Sequence, residues 1–424
     1  MASALEEAVA KTTIPIAPDF VNTKALRVID LRSSIVHEDI GIRAKNIQNQ
    51  PVSEYFVTIP KPVEERIASI SAFLRQEPKS SLSIEQVGFD SERGHQLYKV
   101  TLPEPVQPNE DIRIGIKVAY THVVAPLPKK MPQVAKQHLT YVNNMYLYSP
   151  YATEETKTTL HLPTNNVVSF TEAQDLVTRA ENKIIYGPFQ SITPYAYQPL
   201  QCHYEYSKPI LTVTDLVRDV YVSHWARNMA VEESYNLRHD GARIDGEFSR
   251  IKYQQSAVVH AQTNVLKRLT FNLPPFARDV YYRDEIGNVS TSHLRHEPRT
   301  TVLDIAPRYP LFGGWNYTWN HGYNVDASQF VHYSKKEGRY ILNMKFVENA
   351  KEMAIDRVTL NIVLPEGARN VQVYAPFHLD VIEHGKHFTN FDSTGRYKLV
   401  LQKYNVVREH EQFIQVLFFC FHWV

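Results

Sequence analysis

The feature that most constrains this chain is a short β-rich run that ends in an apolar-proline step and recurs six times. It occurs at Val57-Thr58-Ile59-Pro60, Val100-Thr101-Leu102-Pro103 and Leu160-His161-Leu162-Pro163. It returns at Phe271-Asn272-Leu273-Pro274, Leu303-Asp304-Ile305-Ala306-Pro307 and Ile362-Val363-Leu364-Pro365. Proline has no amide hydrogen to give to a ladder, so each step is expected to end a strand. The two sets of three have similar internal intervals and lie roughly 200 residues apart, which fits a tandem duplication of one β-domain.

The two halves open alike. Arg27-Val28-Ile29-Asp30-Leu31-Arg32 and Asp219-Val220-Tyr221-Val222-Ser223-His224 each begin a stretch of alternating apolar and polar positions. Segments such as Ile112–Val118 and Asn370–Tyr374 alternate like strands with one buried face. Helix is the minority expectation, confined to Val63–Leu74 and Thr171–Asn182. The reading is a mainly β chain of two tandem, related, β-sandwich-like domains with few short helices. Residues 1–21 are expected to be a disordered extension, 22–216 the first domain and 217–424 the second.

Composition narrows the function. The chain has 46 basic and 45 acidic residues, and Lys129-Lys130 is the nearest approach to a basic patch, which argues against nucleic acid as the main partner. Its 25 Pro and 25 Tyr against 15 Gly suit pleated surfaces with stiff connections better than glycine-rich phosphate loops. Cys202 and Cys420 allow at most one disulfide and exclude a cysteine-based zinc site.

The stretch from Arg278 to Asn324 holds two N-glycosylation acceptor triplets, Asn288-Val289-Ser290 and Asn316-Tyr317-Thr318. Around them run Tyr281-Tyr282-Arg283-Asp284-Glu285-Ile286-Gly287 and Pro307-Arg308-Tyr309-Pro310-Leu311-Phe312-Gly313-Gly314-Trp315. Further landmarks are Tyr120-Thr121-His122, Tyr146-Leu147-Tyr148-Ser149-Pro150-Tyr151 and Tyr186-Gly187-Pro188-Phe189. Ser223-His224-Trp225, with Ala230-Val231-Glu232-Glu233, and Leu364-Pro365-Glu366-Gly367-Ala368 complete the set. In this order the segments resemble the ribophorin I family, a subunit family of the eukaryotic oligosaccharyltransferase, over residues 22 to 415.

The resemblance implies two related luminal β-rich domains standing beside a catalytic subunit in the endoplasmic reticulum. It also implies a cleaved signal and a later membrane span. Met1–Pro18 has Glu6 and Glu7 early and no apolar core of about 7–15 residues. Phe413–Val424 is apolar but about half of a span. The expectation is an incomplete or alternative gene product that carries the family's luminal portion, with a soluble isoform as the second account.

Catalytic patterns are weak. Asp90-Ser91-Glu92 and Asp245-Gly246-Glu247 are the Asp-x-Glu pairs that could hold a divalent metal, and both read as solvated turns. His378, His384 and His387, with Asp380 and Glu383, could ligate zinc only if a turn at Gly385-Lys386 folded them together; they read as surface histidines. His224-Trp225 beside Glu232-Glu233 reads as a Trp in the second core with solvated carboxylates. Trp315, Tyr317, Trp319 and Tyr323 alternate along a strand and form either an exposed contact surface or a core closure.

The functional expectation is a non-catalytic oligosaccharyltransferase subunit without cofactor, metal or nucleic acid. Its expected partners are the catalytic and accessory subunits, with nascent membrane glycoproteins and the translocon beyond them. Asn288 is the expected glycan acceptor, ahead of Asn316. The rival is a stand-alone carbohydrate- or protein-binding β-sandwich module, which a glycan-array signal lost on Trp315→Ala would favour.

Overall fold

The computed structural model describes residues 16–420 except 61–62, 64, 76–79, 91, 174–175, 260–263, 351 and 390. Of the described residues 61% are strand and 4% helix. By internal contacts it divides into two compact units, residues 1–127 with 138–206, and 128–137 with 207–424. The expected boundary at 216/217 falls inside a strand, and β1 already starts at Phe20, within the expected N-terminal extension.

In chain order the first strands are β1 (Phe20–Asp30), β2 (Val36–Asn46), β3 (Val52–Pro60), β4 (Ile67–Leu74), β5 (Ser81–Asp90), β6 (His95–Val106), β7 (Asp111–Tyr120) and β8 (Val124–Pro126). Then come β9 (Lys130–Met131), β10 (His138–Asn144), β11 (Thr153–His161), β12 (Val167–Phe170), β13 (Val177–Ala180), β14 (Lys183–Ile192) and β15 (Pro199–Glu205). The next group is β16 (Leu211–Ser223), β17 (Asn228–His239), β18 (Arg243–Ile244), helix α1 (Arg250–Val259), β19 (Leu269–Leu273), β20 (Arg278–Asp284), β21 (Gly287–Asn288), β22 (His293–His296) and β23 (Thr301–Ile305). The last are β24 (Asn316–Asp326), β25 (Val331–Ser334), β26 (Arg339–Lys345), β27 (Met353–Val363), β28 (Arg369–Tyr374), β29 (Val381–His387), β30 (Arg396–Val406) and β31 (Phe413–Phe419).

The two units share one strand order. The main sheet of the first contains β13-β14-β11-β1-β2-β7-β4, and that of the second contains β29-β30-β27-β16-β17-β24-β20. Both are built around a parallel pair, β1 with β11 and β16 with β27, in otherwise antiparallel surroundings. The smaller sheets correspond as well, β12-β15-β10-β8 with β28-β31-β26-β25. So do the triplets β5-β6-β3 and β22-β23-β19, except that the first triplet is joined to β4 through Ala72–Leu82 and Phe73–Ser81.

Alternation builds the core. In β16, Leu216, Val220 and Val222 point inward, and in β31 Ile414, Val416 and Phe418 do the same. Side chains from all three of these sheets of the second unit belong to one apolar cluster that includes Trp319, Phe271 and Phe346. In the first unit Ile29, Ile114, Tyr141, Leu160 and Tyr204 are buried in the same manner.

Five of the six proline steps close a strand; Pro103 lies within β6, which continues to Val106. The expected helix at Val63–Leu74 is strand β4 from Ile67 onward. Val63, Ile67, Ile70 and Leu74 also fit a helical period, but pairing with β7 from Ile67–Tyr120 to Leu74–Ile114 decides the conformation. Thr171–Asn182 contains strand β13 in place of the expected helix.

Candidate functional site

The first acceptor triplet sits at a tight β-hairpin. Asp284 ends β20, and its Oδ1 accepts from the amides of Ile286 at 3.0 Å and Gly287 at 3.1 Å. Gly287 adopts φ +135, a conformation that a Cβ would strain, and the chain returns as β21 with Asn288 opposite Arg283. Arg308 clamps this turn: Nε and Nη2 bond the Asp284 carboxylate, and Nη2 also donates to the carbonyl of Asn288 at 3.1 Å. The hydrogen bond from Arg308 and those from the two turn amides hold the Asp284 carboxyl below the usual range. Asn288 and Ser290 are exposed while Val289 between them is buried, so the triplet is presented at the surface from a fixed backbone.

Asn316 begins β24 and is also exposed, but it sits beside core residues. Tyr317, Trp319 and Tyr323 are 4%, 2% and 3% exposed, so they do not form the candidate contact surface. Trp319 stacks on Tyr235 with ring centroids 4.6 Å apart, and the Tyr317 hydroxyl is 2.6 Å from that of Tyr282. Trp315 alone of the four is half-exposed, edge-on to Phe248 at 5.5 Å.

The chemistry-bearing groups that the fold brings together are internal. Arg218 on β16 lies 2.9 Å from Glu233 on β17, with both side chains 2% exposed, and 3.0 Å from Glu348. Its Nη1 donates to the carbonyl of Lys345 at 2.7 Å. Glu233 also accepts from the Tyr235 hydroxyl at 2.8 Å and contacts His321 at 3.3 Å. Burial alone would raise the Glu233 carboxyl, but Arg218, His321 and Tyr235 hold it down to about 2. Burial pushes Glu348 the other way, up from its ordinary value, against the pull of Arg218.

The first unit repeats the motif. Arg27 on β1 pairs with buried Glu38 on β2, and its Nη1 donates to the carbonyl of Asn144 at 2.6 Å. Asn144 and Lys345 are the last residues of the corresponding strands β10 and β26. A detectable signal was present: Arg27 shares its phase with Ala25, Ile29 and Leu31, and Arg218 shares its phase with Leu216, Val220 and Val222. A charged residue in phase with a buried face must find a partner.

Other candidates are dispersed. Asp90 is buried, not solvated, and accepts from the amides of Glu92 and Arg93; Ser91 lies outside the described residues. Asp245, Gly246 and Glu247 are exposed. Gly385-Lys386 is part of strand β29 rather than a turn, so His384 and His387 run along an edge strand, with His384 bonded to Tyr397 at 2.6 Å. Among the described residues no group of three His, Cys, Asp or Glu could hold a metal ion. Trp225 is 81% exposed and Glu233 is buried, the reverse of the sequence expectation for both. Cys202 and Cys420 are not joined in a disulfide. No helix among the described residues is long and apolar enough to cross a membrane.

Fold and site together define a class: a mainly β protein whose two units share one main-sheet strand order, each with its own internal Arg–Glu pair. The chain belongs to the ribophorin I family, whose model matches residues 20–420. It is 34% identical to dolichyl-diphosphooligosaccharide–protein glycosyltransferase subunit 1B of Arabidopsis thaliana, over 95% of this chain and 87% of the relative. To subunit 1 of Caenorhabditis elegans it is 33% identical, over 92% of this chain and 66% of that one. Among solved structures, native yeast LTA4 hydrolase aligns with TM-score 0.29 and 11% identity over 47% of this chain and 31% of the other, a likeness that carries no argument.

Proposed function

We propose that the protein is a non-catalytic subunit of the oligosaccharyltransferase, which transfers an oligosaccharide from dolichyl diphosphate to Asn in Asn-x-Ser/Thr. The observation that carries this reading is membership of the ribophorin I family from residue 20 to 420, with relatives named as subunit 1 of that enzyme. A supporting role fits the chemistry. The buried Arg–Glu pairs, Arg218 with Glu233 and Arg27 with Glu38, neutralise one another inside the sheets and hold backbone carbonyls. The partners in this reading are the catalytic and accessory subunits, and also nascent membrane glycoproteins and the translocon. The place is the luminal side of the endoplasmic reticulum membrane, where Asn288 is itself a glycan acceptor.

The test is rescue. The chain, tagged and directed to the endoplasmic reticulum, is expressed in cells depleted of their own subunit 1. Recovery of reporter glycosylation, with co-purification of the catalytic subunit, is the expected result. A chain that reaches the lumen folded, yet neither restores glycosylation nor retains the catalytic subunit, overturns the assignment.

A further inference from the structure

The turns at one end of the second unit carry a row of aromatic side chains that the core does not use. Trp225, Phe276, Phe388 and Phe391 are 81%, 73%, 56% and 102% exposed. Strand register places them on a common rim. β16 ends and β17 begins at the Ser223–Asn228 pair, around Trp225, and Asn228 lies opposite Asp326 at the end of β24. Phe276 precedes β20, whose first residue, Arg278, pairs with Asn324. Across the sheet, Val363 at the end of β27 pairs with Lys398 of β30, and His387 with Arg396 closes the β29–β30 connection that bears Phe388 and Phe391. With strands about 4.8 Å apart, the six steps from β20 to β29 span about 30 Å.

The smaller sheet ends at the same rim. The Cys420 thiol, just past β31, donates to the carbonyl of Glu366 at 3.3 Å, while the Glu366 carboxylate lies 3.3 Å from His224 and 3.9 Å from Arg396. Phe419 pairs with Arg369, and its ring lies under Arg339 at 4.8 Å. Arg339 opens β26, so the preceding turn, with exposed Lys335 and Lys336, lies here too.

We propose that this rim is a bilayer-contact surface, in which the aromatics enter the headgroup layer and Lys335 and Lys336, with Arg227, meet lipid phosphates. The chemistry selects this occupant. Trp and Phe interleaved with Lys and Arg match the composition of an interfacial layer, apolar at depth and anionic at its face. The four side chains stand on three turns at one end of the sheet, an arrangement that meets a planar, laterally continuous partner without a pocket. Phe391 and Trp225 gain burial only from outside the unit, since neither packs into its core.

The test uses flotation of the purified full chain with vesicles of phosphatidylcholine, with and without one-fifth phosphatidylserine. Trp225→Ala/Phe391→Ala is expected to lower the floated fraction about tenfold. Ile286→Ala serves as control, because Ile286 is also 81% exposed but sits on the β20–β21 turn at the other end of β20. Lys335→Glu/Lys336→Glu is expected to lose the gain from phosphatidylserine and keep the neutral-vesicle signal. Unchanged thermal melting of each variant shows that folding is intact. Wild-type protein that does not float, or a double aromatic variant that floats as well as wild type, overturns the proposal. So does loss of oligosaccharyltransferase co-purification by that variant without any vesicle binding, which makes the rim a protein contact.

Discussion

Arg218 and Glu233 meet at 2.9 Å across adjacent strands β16 and β17, sealed from solvent. The Nε–H does not point along the contact, so the attraction there is Coulombic, and the guanidinium spends its Nη1 on the carbonyls of Lys345 and Phe346. The pair therefore pins the end of β26 to the centre of the main sheet. Arg27 and Glu38 do the same for β10 in the first unit.

Removing one partner of such a pair strands a charge in the core. Arg218→Met and Glu233→Leu are each expected to cost about 3–5 kcal/mol, because the desolvated remaining charge has lost its compensation. The double replacement is expected to cost less than the sum of the two single changes. Chemical denaturation of the three variants checks this; additive losses would show that the pair is not coupled.

The aromatic residues divide by burial. Trp319→Ala empties a packed site against Tyr235 and Phe271 and is expected to destabilise by about 3–5 kcal/mol. Trp225→Ala removes an exposed side chain and is expected to stay within about 0.5 kcal/mol. Thermal melts of the two variants rank them.

Acid is expected to weaken the fold before the carboxylates titrate. His410 is buried, and burial, helped by Lys403, lowers its pKa from 6.5 to about 4. The unfolded chain binds this proton at higher pH than the folded one, so the contribution is present above about 6.5 and is lost as pH falls towards about 4. The full effect is up to about 3 kcal/mol. His239, lowered by burial as well, adds in the same direction. Stability measured from pH 7 to 4 should fall in the wild type and fall less in His410→Gln.

Thiol chemistry should separate the cysteines. Cys202 is fully buried, and burial pushes its thiol up to about 12. Cys420 is half-exposed, at the end of β31. A thiol reagent applied to native protein should label Cys420 first and Cys202 only on unfolding; mass spectrometry of the labelled peptides decides.

The Asn288 turn depends on Arg308. Arg308→Ala is expected to speed amide exchange at Ile286 and Gly287 by releasing Asp284, without changing exchange in β16 or β27. In cells, an electrophoretic shift that glycosidase removes and Asn288→Gln abolishes would show that the acceptor is used.

Much of the local structure was legible in the sequence. Proline steps marked five strand ends because a missing amide hydrogen is a local fact. The landmarks that identify the family are also contiguous. What the sequence left open was partnership. Alternation gives a strand two faces but does not say what covers each, so Tyr317, Trp319 and Tyr323 fitted both a surface and a core until the sheets packed over them. Glu233 looked solvated because its partners Arg218 and His321 come from other strands, β16 and β24. The parallel pairing of β16 with β27 joins Val220 to Ile362. Backbone hydrogen bonds are identical for every residue, so the choice between such distant partners is made by the packing of the whole core, and only the tertiary structure expresses it.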